Sequence, residues 1–157
     1  MNITYWDILG RLGLAFLIGG LLGTDRTIKR KAAGIKTHAL VCLVCAMVSM
    51  VSKEGIPGSD PSRIISNILT GIGFLAGGVI FTIGRGPGVT IKGLTTAAGI
   101  YGTACIGIPI GLGYYLFSII AFLFIELAFN IEWILHKLHI LPHFEKDDGE
   151  YSEDLKK

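Results

Sequence analysis

Apolar residues in this chain fall into five runs, each closed by a polar or charged break. A ruler of about 20 apolar residues per membrane crossing turns those runs into five predicted helices. They extend from about Tyr5 to Gly23, Thr37 to Ser52, Ser62 to Ile83, Leu94 to Ile108 and Leu112 to Ile131. The second and fourth are short for a full crossing, which implies local bilayer thinning or helices that end in protein-lined space. The predicted fold is therefore all-α, a polytopic bundle of about five spans over residues 1–133, followed by a tail over 134–157. Asp7 and Arg11 interrupt the first run, and it has neither a basic start nor a small-residue cleavage pattern. It reads as a retained helix, not a secretory signal.

Glycine changes the picture from apolar to closely packed. The stretch Gly71 to Phe81 reads GIGFLAGGVIF, and Gly93 to Ala98 reads GLTTAA. Within a soluble core each helical glycine costs roughly 0.5–1 kcal/mol relative to alanine, whereas membrane helices associate where small residues let backbones meet. Gly19-xxx-Gly23 and Gly73-xxx-Gly77 have that spacing, and Gly71 and Gly78 extend it, so GIGFLAGGVIF is expected to be the close-packed centre of the third helix. Composition agrees: 51% of residues are hydrophobic, only 17% are charged, and mean hydropathy is +0.61, which excludes an ordinary soluble domain.

Charge sets an expected orientation. Arg26, Lys29, Arg30, Lys31 and Lys36 lie between the first two predicted helices, and Arg85 and Lys92 lie between the third and fourth. By the positive-inside rule these loops are cytoplasmic, with the N-terminus outside and the C-terminus inside. Residues 145–157 carry six carboxylates against three lysines and predict a solvated tail. Just before it, His136, His139 and His143 recur at three- and four-residue steps, fitting either a metal-binding strip or an interfacial helix end anchored by Trp133.

Candidate chemistry is confined to polar residues within or beside the spans, where charge is costly and has a partner or a task. Asp7 and Arg11 are four apart and can neutralise each other. Asp60-Pro61-Ser62-Arg63 reads as a helix start with Asp60 or Ser62 as cap, or as part of an ion site. Arg63, Asn67 and Thr70 form a stripe that either lines a polar path or bonds to a neighbouring helix. Glu126 lies in an apolar run and needs a partner helix, the interface or a proton. Cys42-x-x-Cys45 and Cys105 are inside spans and read as small buried packing residues, not a redox motif. No P-loop, HExxH or serine with a base is present, so no enzymatic role and no nucleic-acid partner is expected.

In order, RLGLAFLIGGLLGTDR (Arg11 to Arg26), AGIKTHALV (Ala33 to Val41), DPSRI (Asp60 to Ile64), GIGFLAGGVIF and GLTTAA resemble the membrane domain of the MgtC/SapB family. The resemblance spans roughly residues 8 to 130. It implies a multi-pass protein of the bacterial inner, or plasma, membrane, linked to magnesium homeostasis, growth at low magnesium and intracellular survival in virulence. Departures are few. Asp25 replaces a usual glutamate, Lys36 a usual arginine, and Ala76-Gly77 inverts the usual order. Better-known members continue into a soluble domain, so the chain reads as the membrane-only branch.

Two functions follow. In the first the helices, as a homodimer, carry an ion, with magnesium the ligand the resemblance suggests and no other cofactor implied. In the second the protein regulates another membrane complex, such as the F-type ATP synthase. The candidate ion or ligand residues are Asp25, Arg26, Thr37, His38, Asp60, Arg63, Asn67, Thr95, Thr96 and Glu126. The basic loop beside Thr37 and His38 also fits anionic lipid head groups. Because Gly93-Leu94-Thr95-Thr96 starts a helix at the same expected end as Asp25 and Arg26, the predicted site is polar and cytoplasmic.

Overall fold

The computed structural model describes residues 4–56, 58, 60–83 and 90–137. Five α-helices dominate: α1 (Tyr5–Ile28), α2 (Ile35–Met50), α3 (Pro61–Gly77), α4 (Leu94–Leu112) and α5 (Tyr115–Lys137). A π-helical turn over Val51–Gly55 prolongs α2, and a short antiparallel pair, β1 (Phe81–Ile83) and β2 (Thr90–Lys92), joins α3 to α4 with Phe81 opposite Lys92. Four helical stretches are long and apolar enough to cross a membrane, namely Tyr5–Ile28, Ile35–Gly55, Leu94–Leu112 and Tyr115–Leu135.

The third predicted helix is corrected at its end. It stops at Gly77 instead of running to Ile83, and its 17 residues reach about 26 Å, less than a hydrocarbon core of about 30 Å. After a turn at Gly78 and Val79 the chain enters a strand at Phe81–Ile83 instead, and Gly93 closes the connection. Its φ of +93° and the Val79 carbonyl beside its α-carbon leave no room for a side chain.

At the core, α2 lies between α1 and α4. On α2 the buried positions His38, Cys42, Cys45, Ser49 and Ser52 recur at steps of four and three. Such a seam admits close neighbours only if they are small. A Cβ on Gly19 would meet the His38 carbonyl and Cys42, one on Gly107 would meet the Cys42 carbonyl, and one on Gly111 would meet the Ala46 carbonyl. Cys42 and Cys45 are buried free thiols within this seam, but Cys105, expected to be buried, faces outward from α4.

α3 covers another side of α4, where Ile65, Ile68, Leu69 and Ile72 pack near Ala97, Ile100, Ala104 and Ile108. Of GIGFLAGGVIF, Ile72, Ala76 and Val79 pack into this core, but the glycines do not: among the described residues a Cβ on Gly71, Gly73 or Gly77 meets nothing within 4 Å, and one on Gly78 meets only its own helix.

The chain divides into two compact units, residues 1–126 and 127–157. In the second, Lys137 Nζ lies 5.0 Å from the Trp133 ring centre at the end of α5. His136 falls within α5, whereas His139, His143 and the acidic tail lie outside the described residues.

Candidate functional site

Two polar clusters close the ends of the α1, α2 and α4 seam. Arg11 and Arg26, one in each, are fifteen residues apart on α1, or about 22 Å.

At the first end, sequence neighbours are not the partners. The expected Asp7–Arg11 pair is absent: Asp7 instead accepts from the Thr4 backbone N–H at 3.2 Å in a capping box, because the first turn of α1 offers unsatisfied donors. Arg11 reaches across the bundle, with Nη1 3.0 Å from Glu54 Oε1 and 2.8 Å from the Gly111 carbonyl, while Nε donates to Tyr115 Oη at 3.2 Å. The C-terminus of α4 explains this. Gly113, with φ +88°, and Tyr114 donate to the Ile110 and Pro109 carbonyls, which leaves Gly111 and Leu112 without backbone donors. Arg11 takes the former carbonyl, and Lys53 Nζ takes the latter at 2.8 Å. Two cations thus complete the negative end of a helix dipole.

The second end holds the sequence-predicted residues. Arg26 is 4% exposed and donates from Nη2 to Thr96 Oγ1 at 3.2 Å. His38 is fully buried, its Nδ1 2.7 Å from Thr103 Oγ1. The Thr103 hydroxyl also lies 2.8 Å from the Gly99 carbonyl one turn back on α4. His38 Nε2 is buried without a partner of full hydrogen-bond geometry, beside the Ala33 carbonyl. Asp25 is engaged with Lys29 at 2.8 Å, one turn on along α1. Thr27 builds the turn into α2: its hydroxyl donates to the Gly23 carbonyl and accepts the Ile35 N–H at 2.8 Å. Beside it a groove of about 390 Å³ is lined by Thr27, Gly34, Ile35, Lys36 and Thr37.

Of the ten predicted site residues, then, Arg26 and Thr96 touch, and His38 sits in the same seam with Thr103. Thr37 is half-buried at the groove, and Thr95 is exposed whereas Thr96 beside it is buried. Asp60 lies at the other end, where it caps α3: Oδ1 accepts from the Ser62 N–H at 3.0 Å and from its hydroxyl at 2.7 Å, which holds the carboxyl below its ordinary pKa. Arg63 and Asn67 are exposed on α3, and Glu126 is half-buried on α5.

Sequence reasoning missed Thr103 and Ser49. Thr103 follows Thr96 by seven residues, two helical turns on one face, and that spacing was the available signal.

The arrangement is rich in donors. Its charged centre is a guanidinium bonded to the Thr96 hydroxyl, with the His38–Thr103 pair in the same seam, and no group of three His, Cys, Asp or Glu suited to a metal occurs among the described residues. Such a centre favours anionic or neutral acceptor groups over a divalent cation.

Comparison with known proteins gives this arrangement its family. The MgtC family model matches residues 12–138. Protein SapB of Bacillus subtilis is 35% identical over 142 residues, covering 84% of this chain and 60% of that protein. A protein of Escherichia coli K12 named putative magnesium transporter YhiD is 39% identical over 117 residues, 69% of this chain and 53% of the relative. Protein MgtC of Brucella abortus is 36% identical over 111 residues, 71% and 45% respectively. The chain thus spans about half the length of these relatives. No solved structure matches it. The chain belongs to the MgtC family and is a multi-pass inner-membrane protein.

Proposed function

We propose that this protein serves magnesium homeostasis as a membrane-embedded regulator that acts by contact, without conducting magnesium through its own bundle. The name of one relative, putative magnesium transporter YhiD, supplies the magnesium link. The observation that carries the choice is Arg26. It is the only buried arginine, lysine or carboxylate among the described residues, and it stands where the α1, α2 and α4 seam opens. A doubly charged ion about 5 Å from a guanidinium meets roughly 7 kcal/mol of repulsion even at an effective dielectric of 20. The neighbouring carboxylate, Asp25, is paired with Lys29, and Asp7, Glu54 and Asp60 lie at the other end of the seam. Close packing of Gly19, Gly107 and Gly111 against α2 also leaves no path along the seam.

In this reading the Arg26 end, with its groove and exposed lysines, is the surface through which the protein senses or grips a partner. Transport is the second reading, and one observation favours it: the polar stripe of Arg63, Asn67 and Thr70 on the outer face of α3. A cation path would follow that face, outside the bundle.

The test uses purified chain in liposomes that hold a magnesium-sensitive dye, together with growth at low magnesium of a bacterial host lacking its own copy. Regulation predicts dye responses equal to those of protein-free liposomes, and growth that wild type restores but Arg26→Gln does not. Magnesium entry that rises with protein content and falls in Asn67→Ala would overturn it in favour of transport.

A further inference from the structure

α3 lies at membrane depth, because Ile65, Ile68, Leu69 and Ile72 pack along α4, one of the helices able to cross. Its opposite face carries Arg63, Asn67, Thr70 and Phe74 at steps of four, three and four, all exposed, Phe74 at 88%. The Arg63 and Asn67 side chains make no hydrogen bond or ion pair to any described residue, whereas Thr70 spends its proton on the Ser66 carbonyl at 2.9 Å. Gly77 continues the face, and Gly71 and Gly73 border it, each with open space where a side chain would be. Acyl chains offer nothing to an asparagine about 10 Å along the helix from Pro61. Something with polar groups at that depth covers it.

We infer that this face binds a second copy of the same chain, α3 against α3 about a two-fold axis along the membrane normal. Three features fit a self-partner. The Asn67 amide carries both donors and an acceptor, so it satisfies its own symmetry mate. Asp60 and Arg63 are both exposed and three residues apart, so each copy brings one acid and one base to the same end, and the acid of one faces the base of the other. Farther along, the open space at Gly71, Gly73 and Gly77 leaves room for the Phe74 ring of the other copy, which protrudes on the same face. The same pairing encloses the polar stripe and removes it from lipid. The pairing stands independently of whether the protein regulates or conducts.

The experiment uses the purified full chain in liposomes, where it is the only protein. Cys105 is exposed and is replaced by alanine, while Cys42 and Cys45 are buried. Thr70→Cys in that background, oxidised with copper phenanthroline, is expected to form a disulfide-linked dimer. Leu21→Cys, on an exposed face of α1, is expected not to. Energy transfer between donor- and acceptor-labelled copies gives a second reading that needs no cysteine on α3. Asn67→Leu is expected to weaken it by about tenfold, the change a single interhelical polar contact supplies, and Asn67→Gln to retain it. Absence of energy transfer, or equal cross-linking at Thr70→Cys and Leu21→Cys, overturns the inference. So does a native-membrane cross-link from Thr70→Cys to a protein of different mass while the purified chain stays monomeric.

Discussion

The seam of α1, α2 and α4 and the outer face of α3 are built from the same residue types, glycines beside small polar side chains, yet they are opposite in environment. In the seam the glycines press on backbone carbonyls of α2, and the hydroxyls and imidazole are buried. On α3 the glycines border open space, and arginine, asparagine and threonine point away from the bundle. Glycine density therefore marks a helix that something approaches closely, without saying whether that neighbour belongs to the same chain. Its polar companions tell more. In the seam Arg26 pairs with Thr96 and His38 with Thr103, whereas on α3 the arginine and asparagine side chains have no partner among the described residues.

The contrast breaks most sharply at glycine itself. Gly111→Leu is expected to cost more than about 3 kcal/mol, because the obstructing group is the Ala46 backbone, which cannot rotate aside. Gly73→Leu is expected to leave the stability of the single chain within about 0.5 kcal/mol. Thermal unfolding in detergent, followed by tryptophan fluorescence, compares the two; equal losses would erase the distinction between closed and open faces.

A smaller effect is expected at the closed end of the seam. Arg11→Leu strands the Glu54 carboxylate and the Gly111 carbonyl together, and a loss of about 2–4 kcal/mol is expected. If Glu54→Gln in the Arg11→Leu background recovers part of that loss, the pairing across helices is sharpened; if Asp7→Asn recovers it instead, the neighbouring residue is the true partner.

The smallest effect lies at the start of the open face. Asp60 is held below its ordinary pKa of 3.8 by Ser62, so its contribution is fully present above that value and is lost as pH falls through the lower folded value. Unfolding temperatures of wild type and Asp60→Ala should differ at neutral pH and converge as acidification passes the lowered folded value. A gap that widens on acidification would contradict the capping role.

Much of this was legible without coordinates. Apolar run length located all five helices, and Asp60-Pro61-Ser62 announced the start of α3, because spans and caps depend on neighbours within a few residues. Arg26 and Thr96 could be assigned to one end from chain direction alone. The partner of Arg11 could not. Asp7 was four residues away on the same helix, but the last turn of α4 had carbonyls to fill and Glu54 was within reach, so a contact 43 residues distant prevailed. The end of α3 differs for a related reason: Gly78 to Ile83 continues the apolar run, and only the pairing of Phe81–Ile83 with Thr90–Lys92 makes its end a strand.

The sequence by itself determined that this chain lives in a membrane, how many helices it forms and which residue types gather at each end. Those properties follow from hydrophobic transfer and from backbone bonds satisfied within one helix. Only the tertiary structure decided which glycines touch a neighbour, which way Cys105 points, and that His38 pairs with Thr103. Each of these depends on the rotation of one helix against another, which is set by close packing across elements far apart in the chain.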